Sequence, residues 1–216
     1  MSVKRIAVLV SGGGTNLQAL IDAQRRGEIT NGEIAAVISS KPGTFALERA
    51  KRAGIPGYVA ARKDYPDNRA MTAALVDRLK SLDIDLVVLA GFMVILTEEM
   101  VNAYPNAILN VHPALIPSFC GEGCYGLHVH EKALEYGVKV SGATVHFVSE
   151  ECDGGPIVLQ KAVAVEENDT PETLQRRIME QAEWVILPRA VSLFCQGRLK
   201  VEGRTVRILN AKECQP

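Results

Sequence analysis

The 216-residue sequence has no charge excess: 24 Lys and Arg stand against 25 Asp and Glu, a formal net charge of -1, and neither sign forms a long run. That balance leaves no electrostatic footprint for a polyanion and argues against nucleic acid as the main partner. It has no apolar stretch of bilayer-spanning length. The run at residues 6–10 follows a short amino terminus with no cleavage-site pattern, so neither a membrane span nor a secretion leader is expected. Cysteine is sparse and odd in number, five in all, which disfavours a disulfide framework and suits reduced thiols in a cytoplasmic protein. Internal repeats, low-complexity segments and linkers are also lacking, so residues 1–216 read as one domain. What is there, 47% hydrophobic and 23% charged residues, suffices to bury a sizeable core.

Short β-rich apolar runs at residues 6–10, 34–38, 86–90 and 107–111 alternate with helix-like segments at 17–26, 45–53 and 68–82. This is the pattern of βαβ units, and it predicts a buried, mostly parallel Rossmann-like α/β sheet with helices on both faces. Thr15 or Asn16 and Asp67 are N-cap candidates; Gly27 and Gly54 are terminators. Beyond Gly137 the pattern changes. Runs at 143–148 and 157–165 flank a turn-rich stretch and predict an antiparallel pair in the C-terminal half. Thr170 and Pro171 open a long helix toward Phe194 that Pro188 should kink or end, and residues 205–209 form a last strand.

Directly after the first strand come Ser11, Gly12, Gly13, Gly14, Thr15 and Asn16, and then a helix. Glycines let the backbone approach a ligand, and the first helical amides with the positive dipole end suit one phosphate. The spacing fits neither the dinucleotide fingerprint, since Leu17 stands at its third glycine, nor a nucleoside-triphosphate loop, which ends in Lys-Ser/Thr. The plainer alternative is a tight strand-to-helix turn.

Asn110 and His112, two apart at the end of the run 107–111, share one face of a strand. At the carboxyl end of a parallel strand they would project into the crevice where such sheets bind ligands. An amide that donates to a developing oxyanion and an imidazole that can hold a proton are parts that acyl transfer needs, although both could instead satisfy backbone groups. Asp153, in the turn Asp153-Gly154-Gly155-Pro156, is the best third member. Its carboxylate would favour the imidazolium and orient it, or the segment is simply an Asp-Gly turn.

Taken together, residues 11–18 (SGGGTNLQ), 90–93 (AGFM), 109–113 (LNVHP) and 153–156 (DGGP) resemble the glycinamide ribonucleotide formyltransferase family in order and approximate spacing, over nearly the whole chain. The resemblance implies a formyltransferase fold whose catalytic residues are Asn110, His112 and Asp153. It implies that Gly13, Gly14, Thr15 and Asn16 hold a substrate phosphate and that Glu183 meets the ribose. The folate would lie against Phe92, Met93, Val94, Ile95, Leu96, Asn110, Val148 and Asp153, with Thr144 and His146 in support. Val94 replaces the arginine of some members, and Arg62, Lys63 and Arg69 compete for the glutamate tail; we favour Arg69. The N-terminal half to about residue 106 would then bind phosphate, residues 107–200 would bind folate and carry the chemistry, and a strand and tail run to 216. The implied cosubstrate is 10-formyltetrahydrofolate, the acceptor glycinamide ribonucleotide, and the place of the reaction de novo purine biosynthesis. No metal, nucleic acid or membrane is implied, and a homodimer is left open.

Residues 118–125 are longer than the matching loop of short-loop members. Cys120, Cys124, His128 and His130 have donors suited to zinc but not a finger spacing, and a mobile glycine-rich lid running into a helix at 131–136 is the preferred reading. The competing functions are formyltetrahydrofolate hydrolysis, which leaves the phosphate loop without purpose, methionyl-tRNA formylation, and a non-enzymatic nucleotide or folate sensor.

Overall fold

The computed structural model describes residues 2–210 and Glu213; Met1 and the cysteine at 214 lie outside the described residues. Among the described residues, nine strands form one sheet in the order β3-β2-β1-β4-β5-β6-β7-β9-β8. They are β1 (Lys4–Val10), β2 (Gly32–Ser39), β3 (Gly57–Val59), β4 (Leu86–Leu89), β5 (Ile108–His112), β6 (Val140–Phe147), β7 (Ile157–Ala164), β8 (Leu199–Glu202) and β9 (Thr205–Ile208). The first five pair in parallel, and β6 runs antiparallel to both β5 and β7. The short strands β3 and β8 were not foreseen; neither has a long apolar run, and each lies at an edge of the sheet.

Both faces of the parallel part are covered, and strand alternation decides which residue goes where. Ile6, Val8 and Val10 face a core shared with α1 (Thr15–Arg25), α2 (Phe45–Arg52), α5 (His128–Tyr136), α6 (Pro171–Ile178) and α7 (Trp184–Cys195). Ala7 and Leu9 face a second core with α3 (Asn68–Ser81) and α4 (Glu98–Ala103). Each fully buried Leu or Ile stabilises the fold by about 1.5–3 kcal/mol, so the unbroken apolar runs are what hold the strands in the middle of the stack.

Two caps differ in outcome. Asp67 accepts from the Ala70 amide at 2.7 Å and starts α3 as expected. The cap of α1 is a correction: it is neither Thr15 nor Asn16 but Gly14, in the left-handed region at φ 70, with no side-chain cap. A Cβ there would sit 2.7 Å from Ala46 Cβ, so glycine lets α1 and α2 start side by side. This leaves the first amides of α1 free of a side-chain cap.

Pro188 does not end its helix. It lies inside α7, and the break comes one turn earlier, where Met179–Glu183 form a π-turn between α6 and α7. The proline ring crowds the carbonyl four residues before it, and the wider turn upstream relieves the path of the chain. That turn is what delivers Glu183 to Asn16, beside the glycine-rich loop.

The turn between β6 and β7 carries Asp153 at φ 54, an uncommon angle for a non-glycine residue. Gly155 fixes it, because a Cβ there would lie 1.8 Å from the Phe147 carbonyl oxygen. Gly155→Ala is expected to push this turn off β6 and to cost about 3 kcal/mol, the upper end for forced backbone shifts. Urea melts of the variant against wild type would check this, and an unchanged midpoint would contradict it.

Candidate active site

β5 lies between parallel β4 and antiparallel β6, and its register sets Asn110 opposite His146 and His112 opposite Thr144. Leu109 and Val111 point into one core, so Asn110 and His112 share the other face at the carboxyl end of the strand. The β6–β7 turn brings Asp153 to them. Its Oδ1 lies 3.4 Å from Asn110 Nδ2 and 3.6 Å from His146 Nε2; its Oδ2 lies 3.6 Å from His112 Nδ1 and accepts from the Gly121 amide at 3.0 Å. The structure thus brings Asn110, His112 and Asp153 together and adds His146 to them directly, with Nε2 3.1 Å from Asn110 Nδ2. His146 Nδ1 donates to the Phe147 carbonyl, which orients the ring.

Asp153 is mostly buried, and burial alone would raise its pKa. That effect is outweighed by His146, the Gly121 amide and the charges of the two imidazoles, so the carboxyl is held below its ordinary value. His112 corrects the sequence-based expectation. Burial pulls its pKa below the ordinary value, and the attraction of Asp153 offsets this only in part, so the net direction is down rather than up. Its Nε2 donates to the Phe119 carbonyl at 2.8 Å, from the loop that follows β5. A substrate atom can reach that nitrogen only when the loop releases it.

Thr144 stands opposite His112 on β6, but its hydroxyl is bonded to none of the trio. Its hydroxyl donates to the Ala114 carbonyl and accepts from the Ile116 amide and from Gln160, and so anchors the chain leaving β5. The contacts from Phe119 and Gly121 were missed because backbone groups of an irregular loop leave no side-chain signature. The candidate zinc quartet is not assembled. His128 Nδ1 lies 2.7 Å from Glu131, Lys132 Nζ lies 3.2 Å from Cys124 Sγ, and His130 is fully buried with neither ring nitrogen hydrogen-bonded. The expected helix begins three residues earlier than predicted, at His128.

At the other end of the crevice, Asn16 Nδ2 donates to Glu183 Oε2 at 2.5 Å beside the glycine loop. Gly13 has its carbonyl held by Arg49 Nε at 2.9 Å, and Thr15 Oγ1 lies 3.7 Å from Met179 Sδ. Of the candidate folate contacts, Phe92, Val94, Leu96 and Val148 pack on the second core, whereas Met93 and Ile95 are exposed. Arg69 pairs with Glu99 at 2.6 Å and lines a cavity of about 460 Å³ with Leu96, Glu98 and Glu150. Its charge is therefore already partnered, and the arginine expected at the glutamate tail sits among carboxylates.

The sequence profile described as formyl transferase matches residues 4–191. The chain belongs to the formyl transferase family. This formyl transferase is 45% identical over 200 residues to the phosphoribosylglycinamide formyltransferase of Haemophilus influenzae, covering 93% of this chain and 91% of that protein. It is 43% identical to the trifunctional purine biosynthetic protein adenosine-3 of Drosophila melanogaster, covering 90% of this chain but only 14% of that much longer protein. Its fold matches the crystal structure of glycinamide ribonucleotide transformylase 1 from Symbiobacterium toebii with a TM-score of 0.91 and 50% identity, over 96% of this chain and 95% of that one. No helix among the described residues of the formyl transferase is long and apolar enough to cross a membrane.

The buried groups fix a pH response. Burial, only partly offset by Asn16, raises Glu183 to about 7, while burial and the charge of His112 lower His130 to about 4. A raised folded pKa means stability that is present below the unfolded value of 4.5 and lost as pH rises through 7. A lowered histidine does the reverse: the unfolded chain takes the proton first, so stability falls as pH drops below 6.5. Between about pH 4.5 and 6.5 the two slopes oppose each other. Glu183→Gln should remove one of them, so that the variant, unlike wild type, loses stability steadily on acidification through this window. Melting temperatures across pH check it, and parallel curves for the two proteins would refute it.

Proposed function

We propose that this protein transfers the formyl group of 10-formyltetrahydrofolate to the amine of glycinamide ribonucleotide, giving formylglycinamide ribonucleotide and tetrahydrofolate in purine biosynthesis. The observation that carries this reading is the pairing, at one end of one sheet, of an amide–imidazole–carboxylate cluster with an uncapped helix start beside a buried carboxylate. Hydrolysis by water would use the first and leave the second idle. The whole chain acts as a single cytoplasmic domain: the amides at Gly14, Thr15 and Asn16, with Gly13 beside them, take the phosphate, Glu183 takes the ribose, and residues 92–96 with Val148 take the pterin end.

The neutral amine attacks the formyl carbon, and charge collects on the formyl oxygen, toward which Asn110 Nδ2 can donate by giving up its long 3.4 Å contact with Asp153 Oδ1. Burial favours the neutral imidazole at His112; once the Phe119 carbonyl is displaced and the ring proton sits on Nδ1, on the Asp153 side, Nε2 has a free lone pair and accepts the proton from the attacking nitrogen. Ionised Asp153 steadies the imidazolium as it forms, and the proton then passes to the departing folate nitrogen. Holding the phosphate fixes the acceptor's far end, so amine and formyl carbon meet at high effective concentration. The Phe119 carbonyl must leave His112 Nε2 for this to happen, which assigns loop movement to each turnover.

Asp153→Asn keeps the size and removes the charge that steadies the imidazolium. Turnover should fall by roughly a hundredfold to ten-thousandfold, about 3–5 kcal/mol of transition-state stabilisation, with ligand affinity little changed. The His112→Asn loss should be similar and the double variant less than additive. Steady-state kinetics with glycinamide ribonucleotide, water and initiator Met-tRNA as competing acceptors test both chemistry and substrate; near-normal turnover in Asp153→Asn would sink the mechanism.

Gly13 gives a separate test of the phosphate loop. A Cβ there meets nothing within 4 Å, whereas any side chain at Gly14 strikes Ala46. Gly13→Val should therefore weaken the phosphorylated acceptor at least tenfold, roughly one lost charge-assisted hydrogen bond, while folate affinity and melting temperature hold. Equal weakening of both ligands by calorimetry would remove the phosphate assignment.

A further inference from the structure

In the order β3-β2-β1-β4-β5 the chain winds outward from β1 in one direction and from β4 in the other, so the crevice between the carboxyl ends of β1 and β4 is the topological switch point of the sheet. Ser11 follows β1 immediately and is buried, 7% exposed. Its hydroxyl oxygen accepts from the Met93 amide at 2.8 Å across that crevice and lies 2.6 Å from the Ser40 hydroxyl at the end of β2. Among the described residues, the bond from Met93 is the one hydrogen bond made by any group of residues 91–96. The segment that presents Phe92 to Leu96 is therefore tied to the sheet's polar end through a single serine. That serine is the residue next to Gly12-Gly13-Gly14.

We propose that Ser11 is a positioning residue that couples the two substrate sites, so that filling the phosphate loop pre-orders the folate segment. This rests on the reading above that residues 13–16 hold the acceptor's phosphate and residues 92–96 the folate. A phosphate drawn onto the amides of Gly14–Asn16 fixes the path of residues 11–13. The Ser11 hydroxyl then fixes the Met93 amide. The ordering of residues 91–96 is met once by the first ligand and is not charged again to the second, which is positive cooperativity without a large structural change. The serine touches neither reacting atom.

Tetrahydrofolate, the reaction product, and glycinamide ribonucleotide form a pair that cannot turn over, so calorimetric titration of one with and without the other reads the coupling directly. In wild type, glycinamide ribonucleotide should tighten tetrahydrofolate about fivefold or more. In Ser11→Ala that factor should fall to near one, and KM for the formyl donor should rise roughly tenfold while KM for the acceptor barely moves, because the Met93 amide has lost its acceptor. Ser11→Thr retains the hydroxyl and should restore the coupling. Ser40→Ala leaves the Ser11–Met93 bond in place and should keep it. The proposal falls if Ser11→Ala keeps the wild-type factor, or if it weakens both ligands alike with a lowered melting temperature and Ser11→Thr does not restore them. Turnover of glycinamide ribonucleotide by wild type separates the two readings. Without turnover the substrate assignment fails, whereas turnover without coupling in wild type removes only the role of Ser11.

Discussion

One carboxylate must stay ionised where burial opposes it, and much of the site is arranged around that constraint. Asp153 has little water of its own, so its charge is met by protein groups instead: the Gly121 amide on one oxygen, Asn110 and His146 on the other, and His112 alongside. These partners come from β5, from β6 and from the loop after β5, and all but His146 lie more than thirty residues from Asp153 in sequence. The left-handed backbone at Asp153 and the tight approach of Gly155 to Phe147 are the local strain that this convergence requires. The same burial works on His112 in the opposite sense, favouring its neutral form. The two shifts thus run toward charge on the acid and away from charge on the base, which favours the state from which a proton can be accepted.

At the glycine-loop end the logic is inverted. Glu183 has one strong hydrogen bond, from Asn16, and among the described residues no cation pairs with it, so burial wins and its carboxyl pKa is raised to about 7. A negative charge there would face the same helix start that is proposed to receive the substrate's phosphate. Raising the carboxyl's pKa reduces that repulsion near neutrality. The π-turn is the structural means: it places Glu183 where a regular helix would rotate it away.

The parts of this arrangement legible in the sequence are those written in side-chain pattern. Alternation and apolar runs gave β1, β2, β4 and β5, and the change of pattern after Gly137 gave the antiparallel β6 and β7 with them. Asn110 and His112 were legible because a two-residue spacing on a strand can only mean one face. What was hidden depends on groups without identity in the sequence. The carbonyl of Phe119 and the amide of Gly121 belong to an irregular loop, and nothing in their residue types places them on His112 and Asp153. The direction of the His112 shift was misjudged for a related reason: the attraction of a neighbouring charge can be read from a motif, but the depth of burial cannot. Helix capping at Gly14 was misjudged because the deciding contact, with Ala46, lies in the next helix along the chain.

The sheet's topology explains why the glycine-rich loop and the Asn110–His112–Asp153 cluster share one crevice. Parallel strands all end on one side, so residues after β1, β2, β4 and β5 meet there whatever the length of the helices between them. A fully parallel sheet would offer only such strand ends and helix starts, which suit anions and backbone contacts. Reversing β6 lays His146 directly beside Asn110, and the turn that follows β6 returns Asp153 to the same edge. The antiparallel pair therefore adds to the crevice the one component its parallel strands lack, a buried acid facing the base from across the cleft.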